Sequence, residues 1–390
     1  MLFPDEAVRD TRAEINLDNL AHNVKEFNNH IGKNTMLMAV VKADGYGHGG
    51  YEVARCALEN GADWLGVAAL EEGVVLRLQG VKEPILILGY ISPRQVKTCI
   101  EYDLVPTIFT RETARECSRV AQKKGEEIKV HVKVDTGMGR VGVLPGESLE
   151  FVEFVDSLPG IRIEGVYTHF SVADDSDKRY TWNQYETFKQ VVQELEAKGL
   201  NIPLKHACNS AAAIDLPEMH LDLVRIGISL YGSYTSPHVS REVQLKPVMA
   251  LKSKVSYVKT VPPGTSISYG RKFITDKESV VATVPIGYGD GYSRLLSNKG
   301  NVIHHGKRLP IIGAVCMDQC MFLADDSARV ELGDEVVLLG SQGEEIIDAD
   351  EIADKLGTIS YEIYCMIDKR VPRYYYKNDK LIKAKTLLDQ

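Results

Sequence analysis

The sequence predicts an α/β fold, a (β/α)8 barrel followed by a mostly β C-terminal domain. Over the first two-thirds of the 390 residues, eight short runs rich in Val, Ile and Leu alternate with helical patterns. After about residue 240, period-two segments separated by turn residues replace this alternation. Alternating strands and helices are typical of a parallel sheet, and eight such units fit a closed barrel. A doubly wound sheet stays open as an alternative, because the pattern alone does not prove closure.

The eight predicted strands are short apolar runs that precede polar or turn residues. They lie at 36–41, 64–70, 84–90, 105–110, 129–135, 161–170, 203–209 and 221–228. The first helix has its apolar residues on one face, with Asp18 as the expected cap. A later helix has Ser92 as N-cap and Pro93 at its first position. An amphipathic helix is expected over 182–199, ending at a glycine.

The C-terminal part reads as a mostly antiparallel β domain. Its period-two segments include ALKSKVSYVKTV, TSISYG, SVVATVPIG, KRLPIIG and ARVELGDEVVLLG. The predicted domains are therefore a barrel over residues 12–240 and a β domain over residues 241–390. Residues 1–17 could pair with the β domain, to which we assign the strand RAEINL at 12–17.

Composition excludes several classes of protein. A net charge of -8 with no dense basic run argues against nucleic acid as a partner. No apolar stretch approaches the roughly 18 residues of a membrane span, and the first ten residues show no secretory signal. The seven scattered cysteines suit a reducing cytoplasm. No metal site is expected, because Cys316 and Cys320 have no companion Cys/His pair nearby.

The ends of the predicted barrel strands carry polar and charged side chains. Because the active site of a barrel enzyme gathers at the C-terminal ends of its strands, these residues are candidates for a site. They are Lys42, Tyr46 and His48; Asp135 and Arg140; Thr168 and His169; His206, Asn209 and Ser210; and Arg225, Gly227 and Ile228.

The loops after strands seven and eight indicate a phosphate site. Ser210 precedes the small residues AAAI, and backbone N–H groups lie near Gly227, so an anion can approach a helix start. A phosphate together with the strand-end Lys42 suggests pyridoxal phosphate (PLP), held by the lysine as a Schiff base. The lysine must be nearly neutral to attack an aldehyde, and loss of water at a strand end lowers its pKa.

Nine motifs of the chain resemble those of the alanine racemases. They occur in the same order as in that family and extend over essentially the whole length. They are VVKADGYGHG, KVDTGMGRVGV, YTHFSVAD, HACNSAA, VRIGISLYG, ISYGRKF, GYGDGYSR, CMDQ and SYEIYC. The resemblance implies a PLP barrel followed by a β domain, acting as a homodimer with shared active sites. It implies the interconversion of L-alanine and D-alanine in the cytoplasm, supplying D-alanine for peptidoglycan.

The resemblance also implies which residues hold the cofactor. Lys42 matches the PLP lysine, Arg225 would face the pyridine nitrogen, and His169 would lie near the ring. The phosphate would be held by Tyr46, Ser210, Tyr361 and the backbone of Gly227 and Ile228.

Two acid/base groups are implied for the reaction, because racemisation removes a proton from one face of Cα and delivers one to the other. Lys42 is one of them. Tyr269, in the β domain, resembles the second and would come from the partner subunit. Arg140 and the backbone N–H of Met317 would hold the substrate carboxylate. A permanently charged Arg225 cannot protonate the pyridine nitrogen, which restrains side reactions such as transamination.

For some of these residues a purely structural role is an alternative to a functional one. His169 could be a hydrogen-bonded barrel histidine, and a tyrosine in a β strand, such as Tyr269, usually packs. Lys133 lies between Val132 and Val134 in its strand. Because successive side chains point to opposite faces and the valines should face the helices, Lys133 should face the barrel lumen, where a buried cation is costly. Some family members carbamylate a lysine at the matching place; alternatively, Asp135 neutralises Lys133.

Rival functions differ in the partner of the pyridine nitrogen and in the second domain. A PLP-barrel decarboxylase would place an acidic residue at that nitrogen, and Arg225 argues against this. A PLP-carrier protein without enzyme activity would lack the β domain. A serine racemase or a racemase of broader specificity is the closer alternative, since side-chain packing sets the size of the substrate.

Overall fold

The structure is a computed structural model that describes residues 9–324 and 329–389. The chain divides into two compact units. The barrel unit consists of Leu20–Gly45 and Gly50–Lys246. The β unit consists of the described residues up to Asn19, of Tyr46–Gly49, and of the described chain from Pro247 onwards. The first described strand, β1 (Arg12–Asn16), belongs to the β unit.

Eight parallel strands form the sheet of the barrel unit. They are β2 (Met36–Val40), β3 (Trp64–Val67), β4 (Ile85–Ile87), β5 (Val105–Ile108), β6 (Ile128–Lys133), β7 (Ile161–Tyr167), β8 (Leu204–His206) and β9 (Leu223–Ile226). The sheet order runs from β8 through β7 to β2 and then to β9. Hydrogen bonds from Asp222 N to Lys205 O and from Arg225 N to Cys208 O, both 3.1 Å, bring β9 back beside β8. The predicted (β/α)8 barrel is confirmed, and the doubly wound alternative is wrong.

Helical segments alternate with these strands. They are α1 (Leu17–Ile31), α2 (Lys42–Tyr46), α3 (Gly50–Glu59), α4 (Leu70–Leu78), α5 (Val96–Glu101), α6 (Arg111–Lys124), α7 (Pro145–Asp156), α8 (Arg179–Ala197) and α9 (Ser210–Asp215). In the described part of the chain, no helix combines the length and apolar character needed to cross a membrane.

The barrel closes around apolar side chains that alternate along its strands. One buried cluster takes one residue from each of five strands: Met38, Trp64, Leu86, Val105 and Leu223. Because successive side chains of a strand point to opposite faces, the neighbours of these residues pack outward against the helices. Burial on both faces explains why the strands read as nearly continuous apolar runs in the sequence.

The β unit is built mainly on antiparallel strands, as the period-two segments predict. Its further strands are β10 (Met249–Lys254), β11 (Tyr257–Val261), β12 (Ser266–Ile267), β13 (Phe273–Ile274), β14 (Ser279–Val284), β15 (Asn301–His304), β16 (Lys307–Ile312), β17 (Cys320–Ala324), β18 (Glu335–Gln342), β19 (Glu345–Ile347), β20 (Arg373–Lys377) and β21 (Lys380–Lys385). Two helices, α10 (Ala349–Leu356) and α11 (Ser360–Met366), complete its described part. The main sheet has the order β11-β14-β17-β16-β15-β18-β10-β1-β20-β21, with β19 paired to β18.

Strand β1 lies inside the sheet of the β unit. It pairs antiparallel with β10, Ala13 opposite Leu251, and parallel with β20, Ala13 opposite Arg373. Residues 1–8 of the segment expected to pair there lie outside the described residues. The domain boundary at 240/241 stays a prediction.

The residue that caps α1 differs from the predicted one. The expected cap Asp18 lies inside the helix, and Asn16 caps it instead, its Oδ1 accepting from Asn19 N at 2.9 Å. The Asp18 carboxylate accepts from Asn378 N at 2.6 Å and is therefore used elsewhere in the β unit.

Candidate active site

Lys42 begins a left-handed turn directly after strand β2. Val41 N still donates to Gly66 O at 2.8 Å, as in a parallel ladder, and Lys42 follows at the strand end. Ala43, Asp44 and Gly45 then take φ values of 53°, 51° and 63°. A left-handed conformation costs roughly 1–2 kcal/mol for each residue other than glycine. Strain of this kind persists where the surroundings enforce it, and it is concentrated at functional sites.

Two carboxylates hold this turn. Glu72 Oε1 accepts from Ala43 N at 2.6 Å, while its Oε2 accepts from Ala68 N at 2.7 Å and from Ala69 N at 3.1 Å. Asp44 Oδ1 accepts from Gly50 N at 2.7 Å. Our sequence reasoning missed Glu72. The available signal was its position in the first turn of α4, three residues after Ala69, where a glutamate reaches back to backbone N–H groups.

Arg225 lies buried in β9 and is held by acceptors at and just beyond the C-terminal ends of β7 and β8. One terminal nitrogen donates to His206 Nδ1 at 2.8 Å. The other donates to Thr168 O at 2.8 Å, Ala207 O at 2.9 Å and His169 Nδ1 at 3.2 Å. Burial lowers the pKa of Arg225 to about 10, so the guanidinium is still charged at neutral pH. Within the described residues, no acceptor faces Arg225 Nε.

The fixed charge of Arg225 determines the tautomers of two buried histidines. Because Arg225 only donates, His206 Nδ1 must accept, and His206 Nε2 then carries the proton. That nitrogen lies 2.9 Å from His131 Nδ1, which leaves the His131 proton on Nε2, an atom without a partner among the described residues. Burial and then the charge of Arg225 lower the pKa of His131 to about 3 and that of His206 well below its usual value. Both rings are therefore neutral, and neither serves as a proton donor near neutral pH.

His169 joins the same group. It lies 3.2 Å from Arg225, and burial followed by the Arg225 charge lowers its pKa well below the usual value. Tyr167 completes the surroundings, since its ring stacks on His206 with centroids 4.6 Å apart and an angle of 7°. The Tyr167 hydroxyl lies 2.9 Å from Thr107 Oγ1, so its polar end is satisfied.

Two short helical segments meet at Ser210 and Gly227. Ser210 begins α9 and is buried, and its hydroxyl accepts from Gly227 N at 3.0 Å. Asn209 caps α9, its Oδ1 accepting from Ala212 N at 3.1 Å. A 3-10 turn begins at Ile228, and the buried hydroxyl of the next residue, Ser229, has no partner in the described part of the chain.

Lys133 is buried in the barrel, as the alternation of its strand predicts. Its side chain is 3% exposed, and its Nζ lies 5.7 Å from the centroid of the Tyr167 ring. Burial, then the charges of Arg140 and Arg225, lower its pKa to about 8. Asp135 uses its carboxylate to accept from Gly137 N and Gly139 N, both at 3.0 Å. Across residues 9–324 and 329–389, no acidic side chain forms an ion pair with Lys133.

The predicted aromatic ligands Tyr46 and Tyr361 belong to the β unit. Their ring centroids lie 6.0 Å apart, and Tyr46 is buried. His48 Nδ1 lies 2.9 Å from Tyr46 O, and its ring is 5.0 Å from that of Tyr364. His48 is thus a packed residue of this unit, in line with its structural interpretation.

Tyr269 and Met317 lie in one open pocket of the β unit. Tyr269 is 70% exposed and Met317 is 52% exposed. The pocket is lined by Tyr269, Tyr288, Arg294, Val315, Cys316, Met317, Asp318 and Gln319. Bonds from Cys316 N to Gln319 O at 2.9 Å and from Gly289 N to Met317 O at 2.8 Å fix the turn that carries Met317. Within the described residues, the Met317 N–H has no acceptor.

The backbone before Tyr269 is also held in an unusual conformation. Ser268 has a φ of 64°, and its hydroxyl donates to Ala314 O at 2.6 Å. Both bonded residues belong to the β unit. The bond ties the segment carrying Tyr269 to the chain just before Cys316, which explains why Tyr269 and Met317 share a pocket.

One group of potential metal ligands lies elsewhere in the β unit. His304, His305 and Asp334 offer atoms within 4.8 Å of one another. His304 Nε2 lies 2.9 Å from Asp334 Oδ2, so an ordinary His–Asp hydrogen bond accounts for the closest pair. The expectation that the protein has no metal site stays a prediction.

The structure therefore brings predicted residues together in four groups. In the barrel unit, Arg225 contacts His169, and Ser210 contacts Gly227 beside Ile228. In the β unit, Tyr46 faces Tyr361, and Tyr269 shares a pocket with Met317. Lys42, Lys133 and Arg140 lie in the barrel unit, with Lys42 partly buried and Arg140 exposed. The roles of these residues stay predictions.

Comparison with known proteins adds information on both units. Residues 15–235 match the family model "Alanine racemase, N-terminal domain", and residues 248–375 match "Alanine racemase, C-terminal domain". "Alanine racemase 2" of Caldanaerobacter subterraneus subsp. tengcongensis is 46% identical over 384 residues, covering 98% of this chain and 99% of that protein. The alanine racemase of Halothermothrix orenii is 49% identical over 367 residues, covering 94% and 97%.

Solved structures agree with these matches. The alanine racemase of Clostridium difficile 630 superposes with a TM-score of 0.93 at 41% identity, covering 97% of this chain and 99% of that one. The alanine racemase of Bacillus anthracis with bound L-Ala-P superposes with a TM-score of 0.92 at 38% identity, covering 98% of each chain.

Proposed function

The chain belongs to the alanine racemase family and is an isomerase that interconverts L-alanine and D-alanine, and we propose that it uses PLP held at Lys42. The assignment of this activity rests on similarity to alanine racemases over nearly the full length of the chain. The roles proposed for individual residues rest on this chain's own side chains, and above all on Lys42, two residues after the end of strand β2.

The residues of the barrel unit fit this cofactor. A pyridine nitrogen needs a donor or a positive group, and Arg225 offers an Nε–H that no described residue accepts. A phosphate needs hydroxyl and N–H donors. The Ser210 hydroxyl accepts from Gly227 N and keeps its own proton to donate, and the Ile228 N–H lies at the start of the adjoining 3-10 turn; the Gly227 N–H would have to turn from Ser210 to the phosphate. The Ser229 hydroxyl, buried without a described partner, is a further donor beside them. Tyr46 and Tyr361 would supply phenol groups to the phosphate.

PLP, when bound, would hold the amino group of alanine covalently and delocalise the electron pair left after the Cα proton is removed. The side chains of the protein transfer the protons and hold the substrate. Lys42 takes the proton from one face of Cα, and Tyr269 delivers a proton to the other face; the reverse direction exchanges these roles. Arg140 and the Met317 N–H hold the carboxylate, which keeps Cα turned towards both bases.

Arg225 has a distinct role in this scheme. Its four hydrogen bonds prevent it from turning away, and its pKa of about 10 keeps it charged at neutral pH. It would therefore donate a hydrogen bond to the pyridine nitrogen of bound PLP without giving up a proton. An acidic residue there would favour a decarboxylase or transaminase, so the arginine favours racemisation.

Lys133 could act as a carbamate. Carbamylation joins the neutral lysine Nζ to carbon dioxide and releases one proton. Together with the proton lost when the ammonium becomes the neutral amine, two protons leave as the cation is converted into an anion. A pKa near 8 leaves an appreciable neutral fraction for this step, and the product would pair with nearby Arg140. We propose this state alongside the uncarbamylated one.

We further propose a homodimer in the cytoplasm. Tyr269 is 70% exposed in a single chain, which suits a residue that completes the site of a second copy. All seven cysteines are free thiols, as in a reducing compartment. The D-alanine formed would serve peptidoglycan synthesis.

A racemisation assay tests the proposal. The purified protein is incubated with L-alanine, L-serine or L-lysine, with and without added PLP, and the D-enantiomers are measured by chiral chromatography. We expect D-alanine to form fastest and added PLP to restore protein depleted of cofactor. Borohydride treatment should fix a pyridoxyl group on Lys42, as shown by peptide mapping. Faster formation of D-serine would favour the broader racemase, and a label on another lysine would contradict the assignment of Lys42.

A further inference from the structure

We propose that Glu72 is a positioning residue that orients Lys42 by holding the left-handed turn after strand β2. The inference rests on the proposed function, because it assumes that Lys42 is a catalytic base. Glu72 does not belong to the turn itself but to α4, the helix that follows the neighbouring strand β3. Glu72 lies in the first turn of α4 and is partly buried.

A single carboxylate links two strand ends here. Its Oε1 accepts from Ala43 N at 2.6 Å, in the turn after β2. Its Oε2 accepts from Ala68 N at 2.7 Å and from Ala69 N at 3.1 Å, in the loop after β3. Strands β2 and β3 are parallel neighbours, with Val40 opposite Gly66. Glu72 therefore continues the connection between the strands beyond the point where the ladder ends.

The bond to Ala43 acts directly on Lys42. The Ala43 N–H belongs to the same planar peptide group as the Lys42 carbonyl. An oxygen fixed at 2.6 Å from this nitrogen therefore sets the plane of that peptide, and with it the direction of the Lys42 side chain. Ala43 needs this support, because its φ of 53° is unfavourable for a residue with a Cβ. Without the acceptor, we expect the peptide to rotate towards a more common conformation.

A carboxylate is required at this position. Each of its oxygens accepts from N–H groups on a different strand end, and together they face three donors. An amide of the same size has one oxygen and one NH2 group. Glu72→Gln would therefore place a donor against a donor, either at Ala43 or at Ala68 and Ala69.

Glu71 is a matched control. It precedes Glu72 in the same first turn of α4 and carries the same charge near the same helix start, but it is exposed and accepts no hydrogen bond among the described residues. Glu71→Gln thus repeats the loss of charge without the loss of the link.

The first measurement does not depend on activity. Hydrogen–deuterium exchange, followed by mass spectrometry on peptides covering residues 41–46, reports whether the Ala43 amide is protected. We expect Glu72→Gln to increase exchange in this segment, and Glu71→Gln to leave it as in the wild type. Unchanged protection in Glu72→Gln would overturn the inference.

The second measurement separates the two bases in the PLP-loaded enzyme. Early loss of deuterium from Cα is followed for D-alanine, where Lys42 removes it, and for L-alanine, where Tyr269 removes it. A misplaced base can lose about 10- to 100-fold in rate. We therefore expect Glu72→Gln to slow washout from D-alanine by about tenfold or more relative to washout from L-alanine. Glu71→Gln should keep the wild-type ratio.

Equal slowing with both enantiomers would mean that Glu72 only stabilises the fold, and would overturn the inference. If the wild type washes deuterium out of neither enantiomer, the proposed function fails instead. Should Glu72→Gln not fold, Glu72→Asp replaces it, since a shorter carboxylate cannot reach both strand ends. The same change in ratio is expected for that variant.

Discussion

Without a carbamate, Lys133 is a lysine in surroundings that disfavour positive charge. It is 3% exposed, and burial lowers its pKa to about 8, with smaller contributions from Arg140 and Arg225. Unfolding returns it to water, where its pKa is 10.5. Between about pH 8 and 10.5 the folded protein thus binds fewer protons than the unfolded chain, so stability rises with pH across this window. Below the window the full penalty of the buried charge remains.

We therefore predict that Lys133→Met stabilises the fold at neutral pH in buffer free of carbon dioxide. Each pKa unit corresponds to about 1.4 kcal/mol, so a shift from 10.5 to about 8 makes the gain at pH 7 on the order of 3–4 kcal/mol. Its advantage over the wild type should shrink as the pH rises above 8 and disappear near 10.5. Urea unfolding followed by circular dichroism, at a series of pH values, measures this difference.

The same variant distinguishes the two states of Lys133. In bicarbonate buffer, a carbamate would convert the cation into an anion that pairs with Arg140, and the wild type would then gain stability that Lys133→Met cannot gain. A carbon-13 NMR signal from labelled bicarbonate would identify the carbamate. A constant difference between the two proteins at every pH, with and without bicarbonate, would contradict the lowered pKa.

At the scale of elements, strands β6 and β7 show how closely the lumen is packed. The register of this pair shifts between Val130 and His131, and His131 lies opposite Gly165. A Cβ at Gly165 would lie 2.5 Å from His131 Nδ1, the atom that accepts from His206. The glycine therefore leaves the space in which the His131 ring completes the chain of hydrogen bonds to Arg225.

We predict that Gly165→Ala lowers the free energy of unfolding by about 1–3 kcal/mol, as overpacking of a closed core usually does. The His131 ring has to move, which also breaks its bond to His206. Gly146→Ala is the control, because a Cβ at this exposed position in α7 meets no atom within 4 Å. It should not lower the free energy of unfolding, and the higher helix propensity of alanine should raise it by up to about 1 kcal/mol.

Urea unfolding of the two variants beside the wild type gives both values. Equal stability of Gly165→Ala and the wild type would mean that the ring can shift without loss, and the packing argument would be wrong.

Apolar runs were sufficient to predict the barrel strands, because strands buried on both faces contain few polar residues. Their ends were less predictable. The run at 64–70 continues beyond β3, which ends at Val67, since Leu70 already begins α4. The cap of α1 was misassigned because Asn16 and Asp18 are both good capping residues, and only the bond between Asp18 and Asn378 decides between them.

The site was predictable where strand order alone determines position. Parallel strands bring their C-terminal ends together, so Arg225 and His169 were expected to be close, and they are 3.2 Å apart. Glu72 was not predictable in this way. Its role depends on positive φ values at Ala43 and Asp44, which are uncommon outside glycine and leave no mark in a hydrophobic pattern.

At the scale of the whole molecule, the exposure of Tyr269 and Met317 needs an explanation. Their pocket opens to solvent in a single chain, although both are large side chains, 70% and 52% exposed. Exposed apolar groups around a pocket often mark a surface that another molecule covers. A second copy of this chain is the occupant that we propose, with Tyr269 reaching the Lys42 of that copy.

This proposal predicts that two inactive variants restore activity when mixed. Neither Lys42→Ala nor Tyr269→Ala homodimers contain a complete site. A mixed dimer has one site that combines Lys42 from one chain with Tyr269 from the other. Random exchange in a symmetric dimer gives about half hybrids, each with one working site of two, so activity should approach about a quarter of the wild-type value.

The control is a mixture in which subunits cannot exchange, obtained by crosslinking each homodimer first; it should stay inactive. Native mass spectrometry with one isotope-labelled variant shows whether hybrids form. If hybrids are present and the mixture is still inactive, Tyr269 acts within its own chain or only packs, and the shared site is wrong. If activity instead rises in proportion to the hybrid fraction, each working site draws one base from each chain, and dimerisation is then a requirement for catalysis.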